Sequence, residues 1–150
     1  MEIIKQKDTE NKMVIVFNQE KITNFNIEVF REYQTDDNEF YNVAGREHYR
    51  LLAYLSTFFS YKNIIDIGTH KGSSALALSY NELSGVFTYD IINKIAHFQT
   101  PKKIFSERKN IVRRYENLWD NLEEHKDFLL SSPLIFVDID PHEGKDELIF

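Results

Sequence analysis

Asn63-Ile-Ile-Asp-Ile-Gly-Thr-His-Lys-Gly-Ser-Ser-Ala-Leu-Ala-Leu-Ser79 is the stretch whose reading decides the fold. Residues 63–67 form a short apolar, β-branched run, which suits a central parallel strand covered on both faces. Gly68 lets the chain leave that strand through backbone angles a Cβ would forbid. Gly72 permits close approach at the next bend, and Ser73 or Ser74 can cap the following helix by accepting a free amide hydrogen. That helix is expected over residues 74–81, built on Ala75, Leu76, Ala77 and Leu78 and fading at Asn81. A strand, a glycine turn and a helix in this order are expected to aim unpaired amides at the crevice beyond the strand ends. In outline this is a nucleotide-type cofactor site.

The details narrow the ligand. A phosphate-cradling loop needs Gly-x-x-x-x-Gly-Lys-Ser/Thr, which is not present. The dinucleotide fingerprint wants a glycine where His70 stands, and that side chain would obstruct a pyrophosphate. What remains is Asp66-x-Gly68-x-x-x-Gly72. In the form Asp66-Ile-Gly-Thr-His-Lys-Gly72-Ser-Ser it resembles the first motif of class I S-adenosylmethionine-dependent methyltransferases. The resemblance implies cofactor contacts from Asp66, Gly68, Thr69, His70, Gly72, Ser73 and Ser74. A carboxylate at Asp66 can orient the loop and attract the ammonium group of a cationic cofactor. The plainer reading is an ordinary βα turn.

Downstream, residues 85–90 read as an apolar strand ending in an acid. Asp90 lies 22 positions after Gly68, close to the separation of about 20 at which a carboxylate meets ribose hydroxyls in dinucleotide folds. One helix returns the chain to the adjacent parallel strand, whose tip then sits beside the first glycine turn. Residues 91–98 are expected to form a short helix broken near Pro101. Lys102, Lys103, Arg108, Lys109, Arg113 and Arg114 make the next segment the most basic, either as a solvated face or as a site for an acidic substrate. Residues 110–115 read as a third strand. After it, Glu116 or Asn117 is placed to meet the adenine edge under the resemblance, while Asn117 can equally cap the next helix.

Residues 134–140 read as a fourth strand, with Asp138, Asp140 and His142 at its carboxyl end. Residues two apart on a strand point the same way, so both carboxylates can face one site. Their repulsion favours a hard divalent ion such as Mg²⁺ between them. The other arrangement divides the work, with Asp138 on cofactor or metal and Asp140 or His142 taking a proton. The segment Leu134-Ile-Phe-Val-Asp-Ile-Asp-Pro-His-Glu-Gly144 resembles the fourth motif of small-molecule O-methyltransferases, whose metal-dependent members use the first Asp as a ligand. Pro141 shifts the histidine by one place from that pattern. The resemblance spans residues 45–144. A complete class I domain has seven strands, whereas four are readable here, so a chain truncated after the fourth core strand is expected.

Upstream, residues 45–59 carry an apolar face of Leu51, Leu52, Leu55, Phe58 and Phe59 and read as a helix preceding the first core strand. His48 on its polar side is read as solvated. Residues 1–41 read as an N-terminal appendage and 42–150 as a Rossmann-like S-adenosylmethionine-binding domain. Within the appendage, residues 2–7 and 12–18 suit a β-hairpin and residues 24–33 a short helix. A decoration covering one sheet edge is expected, with a lid or dimerisation arm as the functional option.

The expected fold is therefore α/β, a doubly wound, mainly parallel Rossmann-like sheet of incomplete class I methyltransferase type. A net charge of −6 and a pI near 5.4 argue against attraction to nucleic acid or anionic membrane. Without cysteine there are no disulfides, thiolate zinc sites or cysteine nucleophiles. No apolar run is long enough to span a bilayer and the start is not a signal peptide, so a cytoplasmic protein is expected. The function expected is S-adenosylmethionine-dependent methyl transfer to a hydroxyl of a small molecule, with a homo-oligomer left open. Two rivals stand beside it. One is a metal-dependent glycosyltransferase using Asp138-Ile-Asp140; the other is a non-catalytic cofactor-binding or assembly module.

Overall fold

The computed structural model describes residues 15, 17–33, 40–41, 43–91 and 99–139. Among them β1 (Asn63–Ile67), β2 (Gly85–Asp90), β3 (Ile111–Tyr115) and β4 (Leu134–Val137) form one all-parallel sheet, ordered β3-β2-β1-β4. The helices are α1 (Gln19–Thr23), α2 (Val43–Ser56), α3 (Ser73–Leu78), α4 (Gln99–Glu107) and α5 (Leu122–Ser131), with 3-10 turns at Glu28–Tyr33 and Leu118–Asn121. The fold is α/β and Rossmann-like, as the sequence implies.

Strand alternation sends neighbouring residues to opposite faces. Ile64, Val86 and Ile111 join a large core with Leu52 and Ala53 of α2, Ala75–Leu78 of α3 and Ile104 of α4. Ile65, Ile67 and Tyr89 face a smaller core with Leu118 and with Leu129 of α5. The sheet is thus wound on both sides. After β3 the chain crosses back to lay β4 beside β1, which puts the topological switch point between those two strands. Full burial of a side chain such as Leu76 or Ile64 stabilises by about 1.5–3 kcal/mol.

Several boundaries differ from expectation for local reasons. α3 starts at Ser73, so its N-cap is Gly72 with φ 85° and no side-chain cap bond. Ser73 and Ser74 lie inside the helix and are buried, so neither plays the capping role. α2 stops at Ser56, because the Thr57, Phe58 and Phe59 amides tighten onto carbonyls three residues back. Pro101 starts a helix where a break was expected. It falls in the first turn of α4, where amide hydrogens have no intrahelical partner to lose. β4 ends at Val137, three residues short of the expected strand, although the Asp138 amide still donates to the Ile67 carbonyl at 2.8 Å.

The expected N-terminal hairpin lies almost wholly outside the described residues. Asn18 caps α1 by accepting from the Lys21 amide at 2.9 Å. Asn24 closes that helix instead of opening the next, and Asn26 accepts from the Glu28 amide to start the 3-10 turn. Ile27, Phe30, Tyr33 and Phe40 are buried in the large core. Phe25 meets Tyr54 and Tyr80, Phe30 meets Tyr80, and the Lys103 ammonium of α4 donates to the Glu32 carbonyl. The described residues of this segment pack over the helical layer of α2, α3 and α4. His48 is half-buried against the Tyr49 and Phe136 rings, not solvated.

The basic segment is largely engaged within the chain. Lys103 pairs with Glu32, Arg108 with Glu82 and Ser79, and the Arg113 guanidinium lies over the Phe105 and Tyr115 rings, 5.2 and 4.2 Å from their centroids. No helix among the described residues is long and apolar enough to cross a membrane.

Candidate functional site

Three residues of the turn between β1 and α3 take left-handed backbone angles: Gly68 (φ 101°), His70 (φ 43°) and Gly72 (φ 85°). Glycine is required at 68 twice over. Its φ excludes other residues, and a Cβ there would sit 1.8 Å from the Asp138 carbonyl oxygen and 2.7 Å from its carbon. Gly68 thus lets the end of β4 close over the turn at the switch point. At Gly72 a Cβ would meet the Phe105 ring of α4 at 3.1 Å. His70 has no such licence, and a left-handed non-glycine residue costs about 1–2 kcal/mol. Its amide donates to Asp90 Oδ2 at 2.8 Å, which helps to hold the angle.

That bond joins the two features singled out in the sequence. β1 and β2 pair in parallel with Ile67 opposite Tyr89, so Asp90 at the tip of β2 reaches the turn at the tip of β1. The amides of the turn are not open to a ligand as expected. Gly68 and Thr69 both donate to the Tyr89 carbonyl, at 2.9 and 3.1 Å, His70 to Asp90, and Gly72 to the Thr69 carbonyl at 2.6 Å. The left-handed residues curl the chain onto its own acceptors, so these four donors are internally satisfied.

Beneath the turn lies a buried polar chain. Thr69 Oγ1 is 2.5 Å from Thr88 Oγ1, and the Thr88 hydroxyl donates to Asp66 Oδ2 at 2.6 Å. Asp66 and Thr88 have no exposed surface and Thr69 only 1%. Register explains the meeting: Asp66 stands directly opposite Thr88 on the face shared with α3. Burial pushes the Asp66 carboxyl up to about 7 against the opposing pull of hydrogen bonding from Thr88 and Ser74, and the Asp138 and Asp90 charges push the same way as burial. Ser74 lies near enough to favour the ionised form, yet Oδ1 has no well-formed hydrogen bond. Of the two roles expected for Asp66, the structure fits orientation of the loop. A sealed carboxyl cannot touch an ammonium group at the surface.

Asn117 caps the second 3-10 turn, accepting from the Trp119 amide at 3.2 Å. Glu116 is half-buried and its Oε2 meets His125 Nε2 at 3.2 Å, while the His125 ring stands edge-on to Tyr89. Thr88 and His125 were not singled out in the sequence. A hydroxyl inside an apolar strand, two residues before the acid, was the available signal for Thr88; nothing local marked His125.

Asp138 follows β4 with its side chain exposed. Asp140 and His142 lie outside the described residues. Among the described residues no group of three or more His, Asp or Glu side chains is arranged to hold a metal ion. The structure therefore brings together Asp66, Gly68, Thr69, His70, Gly72, Ser74, Asp90 and the backbone of Asp138, with Glu116 on the following strand tip. No protein-family model matches the chain, and no curated protein matches it.

Proposed function

We propose that the chain binds S-adenosylmethionine over the β1–α3 turn and directs its methyl group to a hydroxyl of a small molecule. The bond from the His70 amide to Asp90 carries this reading, because it sets the acid ending β2 on the rim of the glycine turn ending β1. A carboxylate there is suited to accept hydrogen bonds from vicinal ribose hydroxyls.

The chemistry of the rim supports a cationic nucleoside over a diphosphate one. With the amides of Gly68, Thr69, His70 and Gly72 engaged, a pyrophosphate would find few donors there. It would also meet the charges of Asp90 and Asp138, which attract a sulfonium or an ammonium group instead. The same argument weighs against a sugar nucleotide. Once bound, the cofactor supplies an intrinsically electrophilic methyl group, and the work left to the protein is alignment. Asp90 would hold the ribose and Glu116 the adenine edge. Asp138 would stand at the mouth of the crevice on the cofactor or, with Asp140, on a divalent ion such as Mg²⁺, and Asp140 or His142 would take the hydroxyl proton.

Calorimetric titration of the chain with S-adenosylhomocysteine and with a uridine diphosphate sugar tests this. Binding of the former, weakened at least about tenfold (~1.4 kcal/mol) in Asp90→Ala, is the expected result. Binding of the sugar nucleotide alone, or unchanged affinity in Asp90→Ala, would overturn it.

A further inference from the structure

Thr88 belongs to no recognised motif, yet it is the only residue bonded to both Asp66 and Thr69 among the described residues. We propose that Thr88 is a positioning residue for the glycine turn, transmitting the protonation state of Asp66 to Thr69 by reversing the direction of two hydrogen bonds. The proposal goes beyond methyl transfer and does not depend on it.

The reasoning follows from counting hydrogens. An ionised Asp66 only accepts, so Thr88 must donate to Oδ2, and Thr69 must then donate to Thr88. A proton arriving at the carboxyl has two places to settle. On Oδ1 it would form a buried donor without a well-formed partner, which costs about 1–3 kcal/mol. On Oδ2 it faces the Thr88 oxygen at 2.6 Å. Asp66 then donates to Thr88, Thr88 donates to Thr69, and the Thr69 hydroxyl hydrogen is released from its inward bond. One proton is gained at the carboxyl and two hydroxyl hydrogens rotate. Thr69 also anchors the turn through its amide bond to Tyr89, so a change in its bonding is felt where the chain leaves β1.

The groups facing Asp66 are Thr88 from β2, Ser74 from α3, Asp90 at the tip of β2 and Asp138 after β4. Burial opposes its ionisation and both carboxylates add to that, so the two states exchange near neutral pH.

Nuclear magnetic resonance of the ligand-free chain reads both ends of the relay, the Asp66 carboxyl carbon and the Thr69 amide, against pH. His70 lies on the same turn, so the series is recorded in a His70→Asn background, asparagine being well tolerated at positive φ. The carboxyl and the amide are expected to move together with a midpoint near 7. Thr88→Val removes the amide step while the carboxyl still titrates, and Thr88→Ser restores it. An amide step that survives Thr88→Val, or an Asp66 midpoint near the ordinary value of about 4, overturns the proposal. If Thr88→Val does not fold, Asp66→Asn decides: loss of the Thr69 step supports the relay, and persistence overturns it.

Discussion

Asp66 and Asp90 sit on adjacent strands and serve the same turn, one from beneath and one from the rim. Asp66 is sealed between β1, β2 and α3 and bonds a hydroxyl. Asp90 is partly exposed and bonds a backbone amide. The same side chain therefore acts as a weak acid near neutrality in one place and as a brace for a strained backbone in the other. The difference teaches that, at this glycine turn, burial decides which carboxylate can meet a ligand and which can only shape the loop.

The largest effect separates the turn's frame from both acids. Gly68→Ala should destabilise by at least about 4 kcal/mol in urea denaturation, because a backbone carbonyl occupies the new methyl's place and φ is positive. Next comes pH. The folded state holds a proton on Asp66 that the unfolded state releases near 4, so stability should fall as pH rises from about 4 to about 7 and be level outside that window. The total change is about 4 kcal/mol, and Asp66→Asn should flatten it; an unchanged slope would mean that Asp66 is not the sealed acid described here. Thr88→Val should cost about 2 kcal/mol at constant pH, since it leaves Thr69 and Asp66 without their shared partner. Asp90→Ala should cost only about 1 kcal/mol in stability while greatly weakening nucleoside binding. If the last two exchanged rank, the division into interior and rim would fail.

Much of this was legible in the residues. The four strands announce themselves as β-branched runs, and the order of glycine turn and acidic strand tip fixes the parallel pairing of β1 with β2. The closeness of Asp90 to the turn follows from a separation that a single crossover imposes. What could not be read were relations between strands. Asp66 looks like a surface acid until Thr88 is seen opposite it, and the second reason for glycine at 68, the close approach of the Asp138 carbonyl, comes from seventy positions later. The α1 helix was hidden because five residues with one apolar side chain, Ile22, give no periodicity, although Asn18 before Gln19 and Glu20 carries capping chemistry. Pro101 misled because its position within a helix, not its presence, decides whether it breaks one.

The guanidinium stacked at the sheet margin has a bearing on behaviour in crowded solution. β3 is outermost on its side among the described residues, the position from which a sheet can recruit a strand of another molecule. Arg113 stays fixed over Tyr115 and Phe105, and Arg114 follows it on the exposed side. Any incoming strand would have to desolvate two adjacent charges within five residues. Those arginines act as a fence against intermolecular zippering, leaving the open margin compatible with a dispersed protein.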